Sequence, residues 1–227
     1  HRIQQSTINN FAALAHEDGY SGLYPLKCLK EDDYYFSKRL ARCDDSTSEQ
    51  ATQLNQKKSR RRTHYFYTLS KHIVQRCVEE DVGTIVIGDL SGIREDDENG
   101  ESKDWGTRGN LNLHSWAFDR FTELLTYKAE MGGISVEEVS ERDTSKSCSC
   151  CGRERKANRV ERGLYVCDEC GTTANADVNG AENIRQKVSP SSPNLSVNRN
   201  NGWLAQSSTF LFDRELGAFA PQEQVTL

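Results

Sequence analysis

Several features of common protein classes are missing from this sequence of 227 residues. No stretch approaches the roughly 18 consecutive apolar residues of a membrane-spanning helix. The opening HRIQQSTINN lacks the apolar segment of a secretion signal, so we expect a cytoplasmic protein without a membrane partner. It also lacks an initial methionine, which predicts a fragment. Hydrophobic residues make up 35% and mean hydropathy is −0.75, so the core should be modest and the surface polar.

A net positive charge is also missing. The net charge is −5, which does not by itself indicate a nucleic-acid-binding protein. The charge is uneven, however, because Lys57–Arg62 (KKSRRR) is basic and Asp96–Glu101 (DDENGE) is acidic. The basic run suits either a solvated face or a surface that contacts phosphates, and the sequence leaves both readings open.

The apolar pattern predicts an α/β chain. Phe11–Ala15 and YSGLYPLKCL fit two strands around a turn, and the β-branched run Val82–Leu90 fits a buried strand. Helical spacing runs from Tyr34 to about Glu80 with a polar break, and recurs between Ser115 and Gly133. Further predicted elements are a strand at Ile134–Ser140, a helix from about Asp177 to Lys187 and a mostly irregular tail over Ser189–Leu227.

Eight cysteines are present, and five of them cluster. Cys148–Cys151 and Cys167–Cys170 are two C-x2-C pairs at the spacing of a zinc ribbon. Each pair can present two thiolates from one tight turn, and four thiolates with no open position predict structural rather than catalytic zinc. Cys150 is a fifth thiol that could compete as a ligand. The scattered Cys28, Cys43 and Cys77 fit inert thiols.

Charged residues surround these pairs. Asp177 lies on the predicted last helix, where it fits either an N-terminal cap or an acid directed into a site. The basic residues between the pairs fit either solubility or contact with a nucleic-acid backbone. They are Arg153, Arg155, Lys156, Arg159 and Arg162.

Taken together, TSKSCSCCG, YVCDECG and ADVNGAENI resemble the C-terminal region of the OrfB/TnpB proteins of insertion sequences. WAFDRFTELLTYKAEMGG, IVIGDLSGI and INNFAALA are similar to other parts of that family, and GWLAQ with FLFDRE is similar to its haloarchaeal members. The resemblance implies an RNase H-like (RuvC-type) mixed sheet with flanking helices and an inserted four-cysteine zinc ribbon. It also implies RNA-guided DNA cleavage with two Mg²⁺ or Mn²⁺ ions held by three acids.

Only one of those three acid positions carries a carboxylate in this sequence. Asp177 matches the third acid and is the expected magnesium ligand. Gln5 stands at the first position and Gly88 at the second, so both positions are degenerate. An amide cannot supply the anionic ligand of a carboxylate. Asp89, on the opposite face of the strand, and Glu95, in the following loop, are weak substitutes.

The resemblance therefore implies a truncated transposon-encoded protein that binds zinc and DNA or RNA and is cleavage-deficient. A guide RNA is a doubtful partner, because almost nothing precedes the first motif. The expected parts are a RuvC-like domain over 1–143, the zinc ribbon over 144–175, a last RuvC-like helix over 176–188 and the tail over 189–227. Two alternatives stay open: an active endonuclease that uses substitute acids, and a decayed remnant without a selected role.

Overall fold

The computed structural model describes residues 10–89, 115–161, 163–189 and 206–222. These residues form a mixed α/β fold, which confirms the predicted class. In chain order the elements are β1 (Asn10–Ala15), β2 (Ser21–Pro25), α1 (Lys27–Leu40), α2 (Glu49–Glu79), β3 (Thr84–Asp89), α3 (Ser115–Met131), β4 (Ser135–Ser140), β5 (Arg159–Glu161), β6 (Leu164–Val166), β7 (Thr173–Asn175), α4 (Ala176–Val188), β8 (Ser208–Asp213) and β9 (Ala218–Pro221).

The long helix α2 follows directly from its sequence. Ser48 caps its first turn, since its Oγ accepts a hydrogen bond from the Ala51 amide at 3.2 Å. Apolar residues at helical spacing, among them Phe66, Leu69 and Ile73, are buried in the core. None of the described helices is long and apolar enough to cross a bilayer.

The described strands form three separate sheets. The first has the order β1-β2-β8-β9, in which β2 and β8 are parallel and the other pairs antiparallel. The second pairs β3 with β4 in parallel, and the third is the antiparallel ribbon β5-β6-β7. Phe11 of β1 and Ile85 and Ile87 of β3 lie in one hydrophobic cluster, so the first two sheets share a core. A single RNase H-like sheet stays a prediction.

Part of the predicted tail is regular, because Ser208–Asp213 and Ala218–Pro221 form strands. Within it, β8 and β9 form a hairpin, and β8 extends the sheet beside β2. Phe210 and Phe219 bury their rings against Tyr24, with ring centroids 5.2 and 5.4 Å away. Arg76 of α2 lies over the Phe210 ring at 4.7 Å. Alternating aromatic residues therefore bind this hairpin to the core.

The basic run on α2 is largely neutralised inside the molecule. Three of its five basic side chains pair with two acids of α1, which are themselves nearly buried. These pairs are Lys58–Asp33 at 3.0 Å, Arg61–Asp32 at 2.8 Å and Arg62–Asp33 at 2.7 Å. The run thus fixes α1 against α2, and this use was not among the readings the sequence suggested.

Candidate functional site

The four cysteines of the two pairs converge in space. Cys148 and Cys170 have sulfur atoms 3.7 Å apart, and those of Cys151 and Cys167 are 3.6 Å apart. All four sulfurs lie within 4.8 Å of one another. Tetrahedral coordination with metal–sulfur bonds of about 2.3 Å separates neighbouring sulfurs by about 3.8 Å. The four cysteines therefore fit one tetrahedral metal ion, as the spacing predicts.

Glycines complete both turns. The Gly152 amide donates to the Cys148 carbonyl at 2.8 Å, and the Gly171 amide donates to the Cys167 carbonyl at 3.1 Å. Their φ angles are 75° and 70°, in the left-handed region where a β-carbon is strained. The glycine after the second cysteine therefore lets each turn adopt this backbone without strain.

Burial and hydrogen bonding change the pKa values of these thiols. It raises the pKa of Cys148, so an ionised sulfur there requires a compensating positive charge such as a bound cation. Burial also acts to raise the pKa of Cys170, but hydrogen bonds from Thr172 and neighbouring cysteines outweigh it and lower that pKa to about 6. Cys150 packs beside the cluster without belonging to the group of four.

Asp177 is the second residue of α4, and its side chain is buried. It does not cap the helix, because Asn175 does: the Asn175 Oδ1 accepts from the amides of Asp177 at 2.9 Å and Val178 at 3.3 Å. The Asp177 carboxylate is instead directed at β1 and the ribbon. Its Oδ2 accepts from Asn10 Nδ2 at 3.0 Å, and its Oδ1 lies 3.4 Å from Arg159.

The same helix is tied to the first cysteine turn by side-chain amides. Asn179 is fully buried, accepts from the Ser149 amide at 3.0 Å and donates to the Ser147 carbonyl at 2.8 Å. Asn183 donates to the carbonyls of Thr144 and Ser147. Hence Asn183 faces away from Asp177, and the ribbon and α4 are held as one unit.

Gly88 occupies a crowded position near the end of β3. A β-carbon placed there would lie 2.5 Å from the Cγ and 2.7 Å from the Cδ of Glu141, which is closer than real β-carbons come to other atoms. Asp89 is exposed on the opposite face of the strand. The carboxyl group of Glu141, from the end of the neighbouring strand, therefore fills the space beside Gly88.

Two residues singled out by the sequence, Gln5 and Glu95, lie outside the described residues. Three that matter were missed: Asn10, Asn179 and Glu141. Asn179 and Asn10 stood within motifs already recognised, ADVNGAENI and INNFAALA. Glu141 had no local signal, because its position depends on the pairing of β3 with β4.

Two family models match the chain. Residues 6–94 match a model described as a probable transposase, OrfB_IS605, and residues 118–184 match one described as the Cas12f1-like TNB domain. The two matches lie on either side of the segment 95–117 and keep the order in which the sequence motifs occur.

Individual proteins agree with the family models. A CRISPR-associated endodeoxyribonuclease Cas12f1 of Sulfoacidibacillus thermotolerans is 31% identical over 70% of this chain and 35% of its own length. The TnpB-like protein ORF457 of Acidianus two-tailed virus is 29% identical over 80% of this chain and 40% of its own length. This chain thus spans little more than a third of each curated relative.

One solved structure shows the same fold. It is the cryo-EM structure of a Cas12f1-sgRNA-target DNA complex, with a TM-score of 0.59 and 19% identity. The similarity covers 81% of this chain and 48% of that one. At this identity the likeness concerns the fold alone.

Proposed function

Because the chain belongs to the OrfB/TnpB family, we propose that it is the RuvC-like, zinc-containing part of a transposon-encoded protein that binds DNA and a guide RNA. The observation that carries the proposal is the buried Asp177 carboxylate, held at the start of α4 next to Asn10. Asn10 lies five residues after Gln5, where the family resemblance puts the first acid. The segments around Asn10 and Asp177, which are distant in the sequence, therefore meet at the Asp177 carboxylate.

Metal ions have separate roles in this proposal. Sulfur ligands favour zinc at the four cysteines, and that ion is structural because all four positions are filled by protein. Oxygen ligands favour Mg²⁺ or Mn²⁺ at Asp177. When bound, such ions supply an activated water and stabilise the leaving oxygen of a phosphodiester. Asp177 contributes negative charge there, and Asn10 orients its carboxylate through the 3.0 Å hydrogen bond.

An exposed face of α2 is the proposed surface for nucleic acid. A shallow depression there is lined by Arg60, His64 and Tyr67, which share one helix face, and Tyr67 is 53% exposed. The neighbouring Lys57 is also exposed. The ammonium of Lys128 lies over one face of the Tyr67 ring, 3.2 Å from its centroid, so a stacked base would use the other face. Basic side chains beside such a ring suit a single strand, because phosphates contact the charges while a base stacks on the ring.

Salt dependence tests this surface. Replacing Lys57 and Arg60 by glutamine should weaken binding of single-stranded DNA or RNA and flatten its dependence on salt. Each lost phosphate contact should lower the slope of log affinity against log salt by about 0.7. Fluorescence anisotropy between about 50 and 200 mM salt measures this slope. Arg120→Gln is the matched control, since Arg120 is exposed on α3 and pairs with Glu123. Equal slopes for both variants would contradict the proposed surface.

Cleavage is expected to be deficient. Gln5 supplies an amide where two closely spaced cations need a carboxylate, so their mutual repulsion is poorly compensated. The zinc-loaded chain, given plasmid DNA and Mn²⁺, should produce no more nicked product than its Asp177→Asn variant. Nicking by the unchanged chain that disappears in Asp177→Asn would instead establish an active endonuclease.

A further inference from the structure

The Glu141 side chain occupies the space beside Gly88. A β-carbon at position 88 would overlap Glu141, whose Oε1 is itself buried. A carboxylate on residue 88 and the present position of Glu141 therefore exclude each other. With glycine at position 88, β3 supplies no acid here. Because glycine has no side chain, the carboxyl group of Glu141, the residue that follows β4, occupies the space.

The pairing of β3 with β4 positions Glu141 beside Gly88. The parallel register of β3 and β4 sets Gly88 opposite Val139 and Asp89 opposite Ser140, so Glu141 is the first residue beyond the last pair. There the chain turns, because the amide and hydroxyl of Thr144 both donate to the Glu141 carbonyl, at 3.2 and 2.8 Å. The turn directs the side chain back across the end of β3.

The segment around Glu141 is also bonded to the helix that carries Asp177. Lys187 of α4 donates to the carbonyls on either side of Glu141, those of Ser140 at 2.7 Å and Arg142 at 3.3 Å. Asn183 of the same helix donates to the Thr144 carbonyl at 2.8 Å. These bonds attach the segment around Glu141 to the later turns of α4, the helix whose first turn carries Asp177.

We infer that Glu141 is the second carboxylate of the divalent-metal site, in the role that Gly88 cannot fill. The inference rests on the proposed function, because Asp177 is the other acid of that site. Asp89 lies exposed on the opposite face of β3, and Glu138 is exposed on β4, so neither acid reaches the same space. With Glu141 in this role, Gln5 is the one family acid position left without a carboxylate.

Binding of Mn²⁺ to the full zinc-loaded chain tests the inference, with electron paramagnetic resonance reporting free and bound ion. Glu141→Gln should weaken Mn²⁺ binding by about tenfold or more, since loss of even an outer-shell partner costs about 10- to 100-fold. Glu138→Gln, on the preceding strand β4, should leave the affinity unchanged. Zinc content and thermal unfolding of each variant show whether the fold is intact.

Moving the carboxylate from position 141 to position 88 tests whether Glu141 acts as a metal ligand or only supports the fold. The double variant Gly88→Glu with Glu141→Gly places the carboxylate on β3 and removes the overlap. It should recover Mn²⁺ affinity relative to Glu141→Gly alone, whereas a merely structural Glu141 would not be replaced from another strand. Failure of this recovery would overturn the inference.

The Asp177→Asn variant distinguishes failure of the Glu141 inference from failure of the proposed metal site itself. If it abolishes Mn²⁺ binding while Glu141→Gln does not, the metal site stands and Glu141 is not part of it. If neither variant changes Mn²⁺ binding, or the unchanged chain binds none, the inference and the proposed metal site are both wrong.

Discussion

Replacing Cys148 and Cys167 by serine is expected to remove the bound zinc and unfold the ribbon. One ligand is lost from each cysteine turn, while the small cluster around them offers little apolar area to hold the strands. Binding of structural zinc to comparable peptides contributes about 10 to 16 kcal/mol, which here is also folding free energy. Elemental analysis should fall from one zinc per chain to none, and limited proteolysis should cut within the ribbon.

Cys150 provides the matched control for this experiment. It lies between the ligands of the first pair but outside the group of four sulfurs, so Cys150→Ser should retain one zinc per chain. Zinc retained by the double variant would contradict the assignment of the four ligands. Zinc lost in Cys150→Ser would show that the fifth thiol takes part in binding.

Truncating Phe219 to alanine should lower the free energy of unfolding by about 3 to 5 kcal/mol, the usual cost of deleting a buried ring. Phe219 packs its ring against Tyr24, Tyr65 and Phe212, with centroids 5.3 to 5.4 Å apart. The variant therefore leaves a cavity between the terminal hairpin and the core. Urea unfolding followed by fluorescence measures the change.

Leu216 is the control within the same hairpin. It is 75% exposed in the turn between β8 and β9, so Leu216→Ala should change the free energy of unfolding by less than about 0.5 kcal/mol. Similar values for the two variants would mean that the hairpin does not pack on the core as described.

The sequence patterns predicted those elements whose structure depends on residues close together in the chain. The helical spacing of Phe66, Leu69 and Ile73 predicted α2, and the β-branched run before Gly88 predicted β3. The cysteine spacing likewise predicted the sulfur cluster, because each turn of four residues is determined by its own sequence. In these cases the residues that make the structure are neighbours in the chain.

What the sequence did not predict are contacts between distant segments. The Ser, Asn and Pro residues after Pro190 suggested an irregular tail, although Phe210 and Phe212 alternate as in a strand. That signal is short, and its partner, β2, lies almost 200 residues earlier. The ion pairs of the basic run and the position of Glu141 also depend on which elements pack together, which a single sequence does not reveal.

The crowding beside Gly88 has an evolutionary consequence. A sequence with glutamate at position 88 and one with glutamate at position 141 are both sterically permitted, but a sequence with both is not unless one side chain moves. A single substitution from either arrangement gives a chain with both acids, in which one side chain must move, or a chain with neither acid. We therefore expect positions 88 and 141 to covary among relatives, so that glycine at 88 accompanies glutamate at 141.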